Sequence, residues 1–256
     1  MKFDQMGLDN ALTQAVAHAG YATATEVQQA AIAPALAGAD LMVSSATGSG
    51  KTASFILPAL QRVLEARAEF HVLRTADVST AQPARRDTPR RAARILVLVP
   101  TRELALQVAK AADTYGRMVK NLRVATIVGG VPYPAQLSAL RAGPDIVIAT
   151  PGRLLDHMQS GRCDLSGVEL LVLDEADRML DLGFIDDINT IAAALPTTRQ
   201  TLMYSATFAG NVGNLARHLL REPKRIAVAS HTTAHVNIEQ RLHWADNHNH
   251  KNALLD

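Results

Sequence analysis

Leu41-Met42-Val43-Ser44-Ser45 runs into Thr47-Gly48-Ser49-Gly50-Lys51-Thr52 and then into a helical pattern, Thr52–Glu65. A strand, a glycine-rich turn ending in Gly-Lys-Thr, and a helix, in that order, form the context of a phosphate-binding loop. The glycines let backbone N–H groups turn toward an anion, and the helix start adds partial positive charge. Lys51 can reach the β- and γ-phosphates of a nucleotide, and the Thr52 hydroxyl can serve Mg²⁺ directly or through water. The strict pattern has a glycine six residues before the lysine, where this chain has Ser45. The plain alternative is a glycine turn ahead of an ordinary helix.

Outward from this loop, short β-branched runs alternate with longer helical patterns. The expected strands are Leu41–Ser45, Ile95–Val99, Val124–Val128, Asp145–Ala149, Glu169–Leu173, Gln200–Tyr204 and Arg225–Ala229. Runs such as Ile95-Leu96-Val97-Leu98-Val99 are apolar throughout, as strands covered on both faces are. The expected helices include Thr52–Glu65, Arg102–Lys120, Pro151–Ser160, Ile185–Ala194 and Asn211–Leu220. This alternation implies right-handed crossovers and an α/β domain, with a mostly parallel sheet and helices on both faces. Ligands of such sheets bind at the carboxyl ends of the strands.

Three segments fall outside this alternation. Residues 1–37 precede the α/β domain, residues 38–230, and read as mostly helical from residue 4. Residues 66–94, rich in Ala, Arg, Pro and Thr, have no clear period and read as a flexible basic insertion. Residues 231–256 read as a linker; His243, His248 and His250 within it match no common zinc spacing.

Composition narrows the class. The chain has 256 residues, 48% hydrophobic and 20% charged, enough to bury a core and unlike a disordered chain. No apolar run approaches the roughly 18 residues of a membrane span, so no membrane association is expected. The single cysteine, Cys163, excludes an internal disulfide framework and fits a reducing, cytoplasmic setting. The net charge of +2 does not by itself point to nucleic acid. The basic excess is local: Arg85, Arg86, Arg90, Arg91 and Arg94 face only Asp87, giving a solvated loop or an accessory RNA contact.

Leu170-Leu171-Val172-Leu173 ends in Asp174-Glu175-Ala176-Asp177. A carboxylate at the end of a buried strand opposite a phosphate-binding loop is the expected second Mg²⁺ anchor, and Asp174 fits it. Glu175 fits a base that orients an attacking water. Lys51, Asp174 and Glu175 are therefore the candidate catalytic set, against a solvated helix start as the plain alternative.

Asp-Glu-Ala-Asp at this place resembles the name-giving motif of the DEAD-box ATP-dependent RNA helicases. Pro100-Thr101-Arg102-Glu103-Leu104-Ala105 resembles the family's motif Ia, and Gly129-Gly130 its glycine doublet. Thr150-Pro151-Gly152-Arg153 resembles motif Ib, and Ser205-Ala206-Thr207 motif III. All stand in family order, each just past an expected strand, and the resemblance covers essentially the whole chain. Phe3, Asp174–Phe184 and Val236–Trp244 look closest to the bacterial RhlE-type branch.

The resemblance implies an amino-terminal RecA-like domain that binds ATP or ADP with Mg²⁺. Gly20–Gln28 resembles the adenine-reading element, with Ala24 and Glu26 where the family usually has proline. The Gln28 amide can read the adenine edge, Thr25 belongs to the same element, and Tyr21 or Phe3 can stack on the base. Single-stranded or short duplex RNA is the implied partner. Pro100, Thr101, Arg102, Gly129, Gly130, Thr150, Pro151, Gly152 and Arg153 would hold its phosphates and sugars without reading bases. The Ser205-Ala206-Thr207 motif, whose Ser205 and Thr207 have no obvious catalytic chemistry, would hydrogen-bond Asp177 and link hydrolysis to strand separation. Taken singly, the glycines and prolines could be plain turn residues.

The family's second RecA-like domain supplies arginines that stabilise the transferring phosphoryl group. No His-Arg…Gly-Arg motif of that domain occurs here, so the chain reads as a monomeric first domain plus linker, binding nucleotide but hydrolysing it weakly. A non-hydrolysing nucleotide-dependent RNA-binding module, or a DNA translocase of the same superfamily, are the rival readings.

Overall fold

The computed structural model describes residues 1–45, 48–76, 92–228, 243, 244, 246, 247 and 250. Thr47, Arg85, Arg86, Arg90, Arg91 and most of the expected linker lie outside the described residues.

A 3₁₀ turn at Phe3–Gln5 leads into α1 (Asn10–His18) and α2 (Glu26–Leu36). Then come β1 (Leu41–Ser44), α3 (Lys51–Ala76), β2 (Ile95–Leu98), α4 (Arg102–Tyr115), β3 (Val124–Ile127) and α5 (Tyr133–Arg141). They are followed by β4 (Ile146–Ala149), α6 (Pro151–Gln159), β5 (Leu170–Leu173), α7 (Ala176–Asp181) and α8 (Ile185–Ala193). The described domain closes with β6 (Gln200–Ser205), α9 (Gly210–Leu219) and β7 (Lys224–Ala227). The sheet order is β3-β4-β2-β5-β6-β1-β7, and every pairing is parallel.

The strand period of two divides the core. Val43, Ile95, Val97, Ile146, Ile148, Leu170, Val172, Leu202 and Tyr204 face one side, under α1, α2, α3 and α4. Leu96, Leu98, Val147, Ala149, Leu171, Leu173 and Met203 face the other, under α6, α7, α8 and α9. Helices therefore cover both faces, as the continuous apolar strands require. Seven strands lie where the sequence places them, to within a residue or two.

Three differences have local causes. The helix after the glycine loop runs to Ala76 rather than Glu65, so residues 66–76 are helical and not part of an irregular insertion. Ala66, Arg67, Ala68 and Glu69 are strong helix formers, and Arg67 is anchored by a 2.7 Å ion pair to Asp145 at the start of β4. Helix α5 escapes the sequence reading because Pro132 and Pro134 make its first turn resemble a loop. Helix α7 escapes it because six residues are too few to show a period.

Candidate nucleotide site and nucleic-acid face

The strand order sorts the candidate residues into two neighbouring groups at one sheet edge. The carboxyl ends of β5, β6 and β1 carry Asp174–Asp177, Ser205–Thr207 and Gly48–Thr52. Those of β3, β4 and β2 carry Gly129-Gly130, Thr150–Arg153 and Pro100–Arg102.

The first group opens on a cleft of about 490 Å³ lined by Tyr21, Thr25, Gln28, Gly48, Gly50, Lys51, Thr52, Asp174 and Glu175 among others. Gln28 is buried, and its amide is engaged on both sides. Its Oε1 accepts from the Thr25 N–H at 2.9 Å, and its Nε2 donates to the Gly50 carbonyl at 3.1 Å. Thr25 and Gln28 form a capping box at the start of α2, a Thr-x-x-Gln signature legible in sequence. Gly50 sits at φ +92°, and a Cβ there would lie 2.5 Å from Gln28 Nε2 and 3.0 Å from Thr25 Oγ1. The Thr25–Gln28 segment and the glycine loop are thus in direct contact, an arrangement that only glycine permits without strain.

Lys51 and Asp174 are both buried, with side chains 8% and 2% exposed by residue. Burial pushes the Asp174 carboxyl up to about 6, against the attraction of Lys51, which pulls it down. One carboxylate oxygen of Asp174 accepts from the Glu175 N–H at 3.0 Å. Glu175 lies in the left-handed region, φ 53° and ψ 53°, uncommon for a residue with a side chain. Such strain gathers at functional sites. The Glu175 carboxylate is 3.4 Å from Arg178. Asp174 and Thr52 both line the cleft, and a buried carboxylate and a hydroxyl lining one cleft are oxygen donors of the kind that fits a hard cation such as Mg²⁺.

Behind the loop, Ser54 Oγ donates to the Lys51 carbonyl at 2.6 Å and lies 2.9 Å from the hydroxyl of fully buried Tyr204. Burial pushes that phenol well above its ordinary value. Tyr204 immediately precedes Ser205, so β6 braces the loop lysine from behind.

The expected contact of the Ser205-Ala206-Thr207 motif with Asp177 is made, through the backbone of its middle residue. The Asp177 carboxylate accepts from the Ala206 N–H at 3.0 Å. The Ser205 hydroxyl instead donates to the Thr207 carbonyl at 2.7 Å, and the Thr207 hydroxyl accepts from the Ala209 N–H. Both hydroxyls shape the turn, and a backbone amide touches the acid.

In the second group Thr101 caps α4, its hydroxyl accepting from the Leu104 N–H. Arg102 Nη1 donates to the Gly130 carbonyl at 3.1 Å, joining the motif Ia and glycine-doublet positions. Pro151 and Gly152 form the first turn of α6, with Thr150 at its cap position. Arg153 lies over the Tyr133 ring, 5.0 Å from its centre, and Tyr133 stacks on His157 at 4.2 Å. Buried Gln136 donates to the carbonyls of Val128 and Val131 on either side of the glycine pair. Tyr133, Gln136 and His157 support this face and carry no sequence signal beyond their helical positions.

A phosphate-binding loop at the end of β1, faced by a buried carboxylate at the end of β5 in a parallel sheet covered on both sides, defines a P-loop NTPase of the RecA-like type. The chain belongs to the DEAD/DEAH box helicase family, whose model matches residues 25–215. It is 40% identical over 254 residues to the ATP-dependent RNA helicase SrmB of Escherichia coli (strain K12), covering 99% of this chain and 53% of that protein. It is 38% identical over 253 residues to the ATP-dependent RNA helicase DeaD of Klebsiella pneumoniae, covering 99% of this chain and 36% of that protein. Among solved structures, a DEAD box protein from Methanococcus jannaschii superimposes with a TM-score of 0.76 at 31% identity, over 90% of this chain and 57% of that one. The chain thus spans between about a third and somewhat over half of these relatives. No helix of the described residues is long and apolar enough to cross a membrane.

Proposed function

We propose that this chain is the ATP-binding half of an RNA helicase that couples nucleotide binding and hydrolysis to local strand separation. The observation that carries the proposal is the single cleft in which Lys51, Thr52 and Asp174 converge, closed at one end by the Gln28–Gly50 contact. In this reading Lys51 and the Gly48–Gly50 amides hold phosphates, and Gln28, Thr25 and Tyr21 form the adenine end. Thr47, by its place in the loop motif, belongs with the phosphate ligands. Thr52 and Asp174 would hold Mg²⁺, partly through water, and the ion would neutralise developing charge on the phosphates. Glu175 is the proposed base for the attacking water.

Single-stranded or short duplex RNA is the proposed partner of the β3-β4-β2 end, held by Thr101, Arg102, Gly129, Gly130, Thr150, Gly152 and Arg153, with Pro100 and Pro151 fixing the turns. A second RecA-like domain is the proposed source of the arginine that completes the site. A reducing cytoplasm is the proposed setting, in keeping with Cys163, a free thiol whose pKa burial pushes up to about 11. The RhlE-type assignment within the family rests on Phe3, Asp174–Phe184 and Val236–Trp244, the last lying mostly outside the described residues. The relatives compared above are SrmB and DeaD helicases, which support the family rather than that branch.

The test is steady-state ATPase of these 256 residues, with and without single-stranded RNA, alongside ADP binding and a Lys51→Ala control. ADP binding that Lys51→Ala removes, with turnover near background, is expected. An RNA-stimulated rate abolished by Lys51→Ala would mean that this chain assembles a competent site alone. ADP binding indifferent to Lys51→Ala would overturn the assignment of the cleft.

A further inference from the structure

We infer that Tyr115 is a base-positioning residue of the nucleotide cleft, holding Tyr21 so that its ring is offered to the heterocycle. The inference deepens the nucleotide-binding reading above and rests on it. Tyr115 is the last residue of α4 and lines the same cleft as Tyr21, Thr25 and Gln28. Its ring meets that of Tyr21 edge to face, with centroids 6.3 Å apart and planes at 60°. That lies within the 4.5–7 Å range in which aromatic pairs attract.

The two rings differ in how firmly they are held. Gly116, next to Tyr115, is packed so closely that a Cβ there would lie 2.4 Å from Leu122, 2.6 Å from the Ala112 carbonyl and 3.2 Å from Leu60. Leu60 belongs to α3, the helix that carries Lys51. The end of α4 is thereby locked to the element that presents the phosphate-binding lysine. Tyr115 is partly buried, and burial together with neighbouring Tyr21 pushes its hydroxyl up to about 12, so it stays neutral. Tyr21 is 53% exposed and follows Gly20, which sits at φ +88°. An exposed ring on a coil gains order from an edge contact with a fixed one. The wall formed by Tyr115 therefore sets where Tyr21 stands relative to the Gln28 amide, at the end of the cleft suited to a flat base.

The experiment separates base from phosphate recognition. Binding of ADP and of magnesium tripolyphosphate, which has phosphates and no base, is measured on the same chain. Tyr115→Leu should weaken ADP about five-fold, the size of one aromatic pair, and leave tripolyphosphate unchanged. Tyr115→Phe keeps the ring and gives up only the hydroxyl contact with Tyr21, so it should retain most of the ADP affinity that Tyr115→Leu loses. Tyr21→Leu should give the same base-specific loss, and Tyr115→Leu added to it should lose little more. Equal weakening of both ligands by Tyr115→Leu, or full ADP affinity in it, overturns the inference. Should Tyr115→Leu not fold, unchanged ADP affinity in Tyr21→Leu overturns it equally. Lys51→Ala must weaken both ligands; if it weakens neither, the nucleotide reading itself has failed, independently of Tyr115.

Discussion

The Asp177 carboxylate and the Ala206 backbone N–H are joined by a 3.0 Å hydrogen bond, tying the acid box after β5 to the turn after β6. Ser205 does not reach the acid, yet it builds the turn that aims this amide, because its hydroxyl spans to the Thr207 carbonyl. Asp177→Ala removes the acceptor, and Ser205→Ala with Thr207→Ala loosens the donor. In the complete protein, both changes should spare most RNA-stimulated ATPase and abolish duplex separation. Parallel measurement of ATPase and strand release checks this, and an equal fall in both would remove the coupling role.

Gly48 and Gly50 provide an internal comparison. Both have positive φ, +78° and +92°, which costs a residue with a Cβ about 1–2 kcal/mol. A Cβ at Gly48 meets nothing within 4 Å, whereas one at Gly50 strikes Gln28 and Thr25. Gly50→Ala should therefore weaken ADP binding by about ten-fold or more beyond Gly48→Ala. Shortening the obstructing side chain in a Gln28→Ala/Gly50→Ala double variant should recover part of the lost melting temperature. Indistinguishable Gly48 and Gly50 variants would mean that Gln28 and Thr25 do not press on the loop.

Strands and phosphate loop were legible because both are written locally: five consecutive aliphatic residues such as Ile95–Val99, or Gly-Ser-Gly-Lys-Thr before a helix, permit few alternatives. The place of Asp174 was legible for the same reason, since it ends such a strand. Tyr115, Gln136 and His157 were not, because their roles depend on which helices meet across the sheet edge. The contact of the Ser205–Thr207 motif with Asp177 was legible, but not the atom that makes it: the turn geometry that gives the bond to the Ala206 amide appears only in three dimensions.

Asp174 makes the unliganded protein pH-sensitive with an unusual sign. Its carboxyl titrates near 3.8 when unfolded and at about 6 when folded. Between those values the folded state holds more protons, so stability falls as pH rises and the penalty is complete above about pH 6. Asp174→Asn removes the buried charge and keeps an acceptor for the Glu175 N–H. Without nucleotide or metal, it should be more stable than the parent at pH 7.5, by on the order of 2 kcal/mol, and lose most of this advantage by pH 4.5. Urea midpoints at the two pH values test this, and an advantage independent of pH would exclude the buried charge as its source.

His157 imposes the opposite slope. It is fully buried between Tyr133 and Gln136; Nε2 is 3.3 Å from Gln136 Oε1, and Nδ1 has no hydrogen-bond partner among the described residues. The Gln136 amide N–H groups are already given to Val128 and Val131, so Gln136 accepts and His157 carries its proton on Nε2. A second proton on Nδ1 would bury a charge near Arg153. Burial first, and Arg153 next, hold the imidazole below its ordinary 6.5. The unfolded chain then binds more protons below pH 6.5, so the stability contributed by neutral His157 is complete above that value and lost as pH falls through it. His157→Phe keeps a ring against Tyr133 and strands the Gln136 carbonyl, a cost that does not vary with pH. Because Asp174 acts in the opposite sense over part of this range, the informative quantity is the difference between variant and parent. That difference should narrow steadily from pH 7.5 to 5.5 in urea titrations, the parent losing stability that the variant never had. Parallel curves would show that His157 titrates no differently in the folded and unfolded chains.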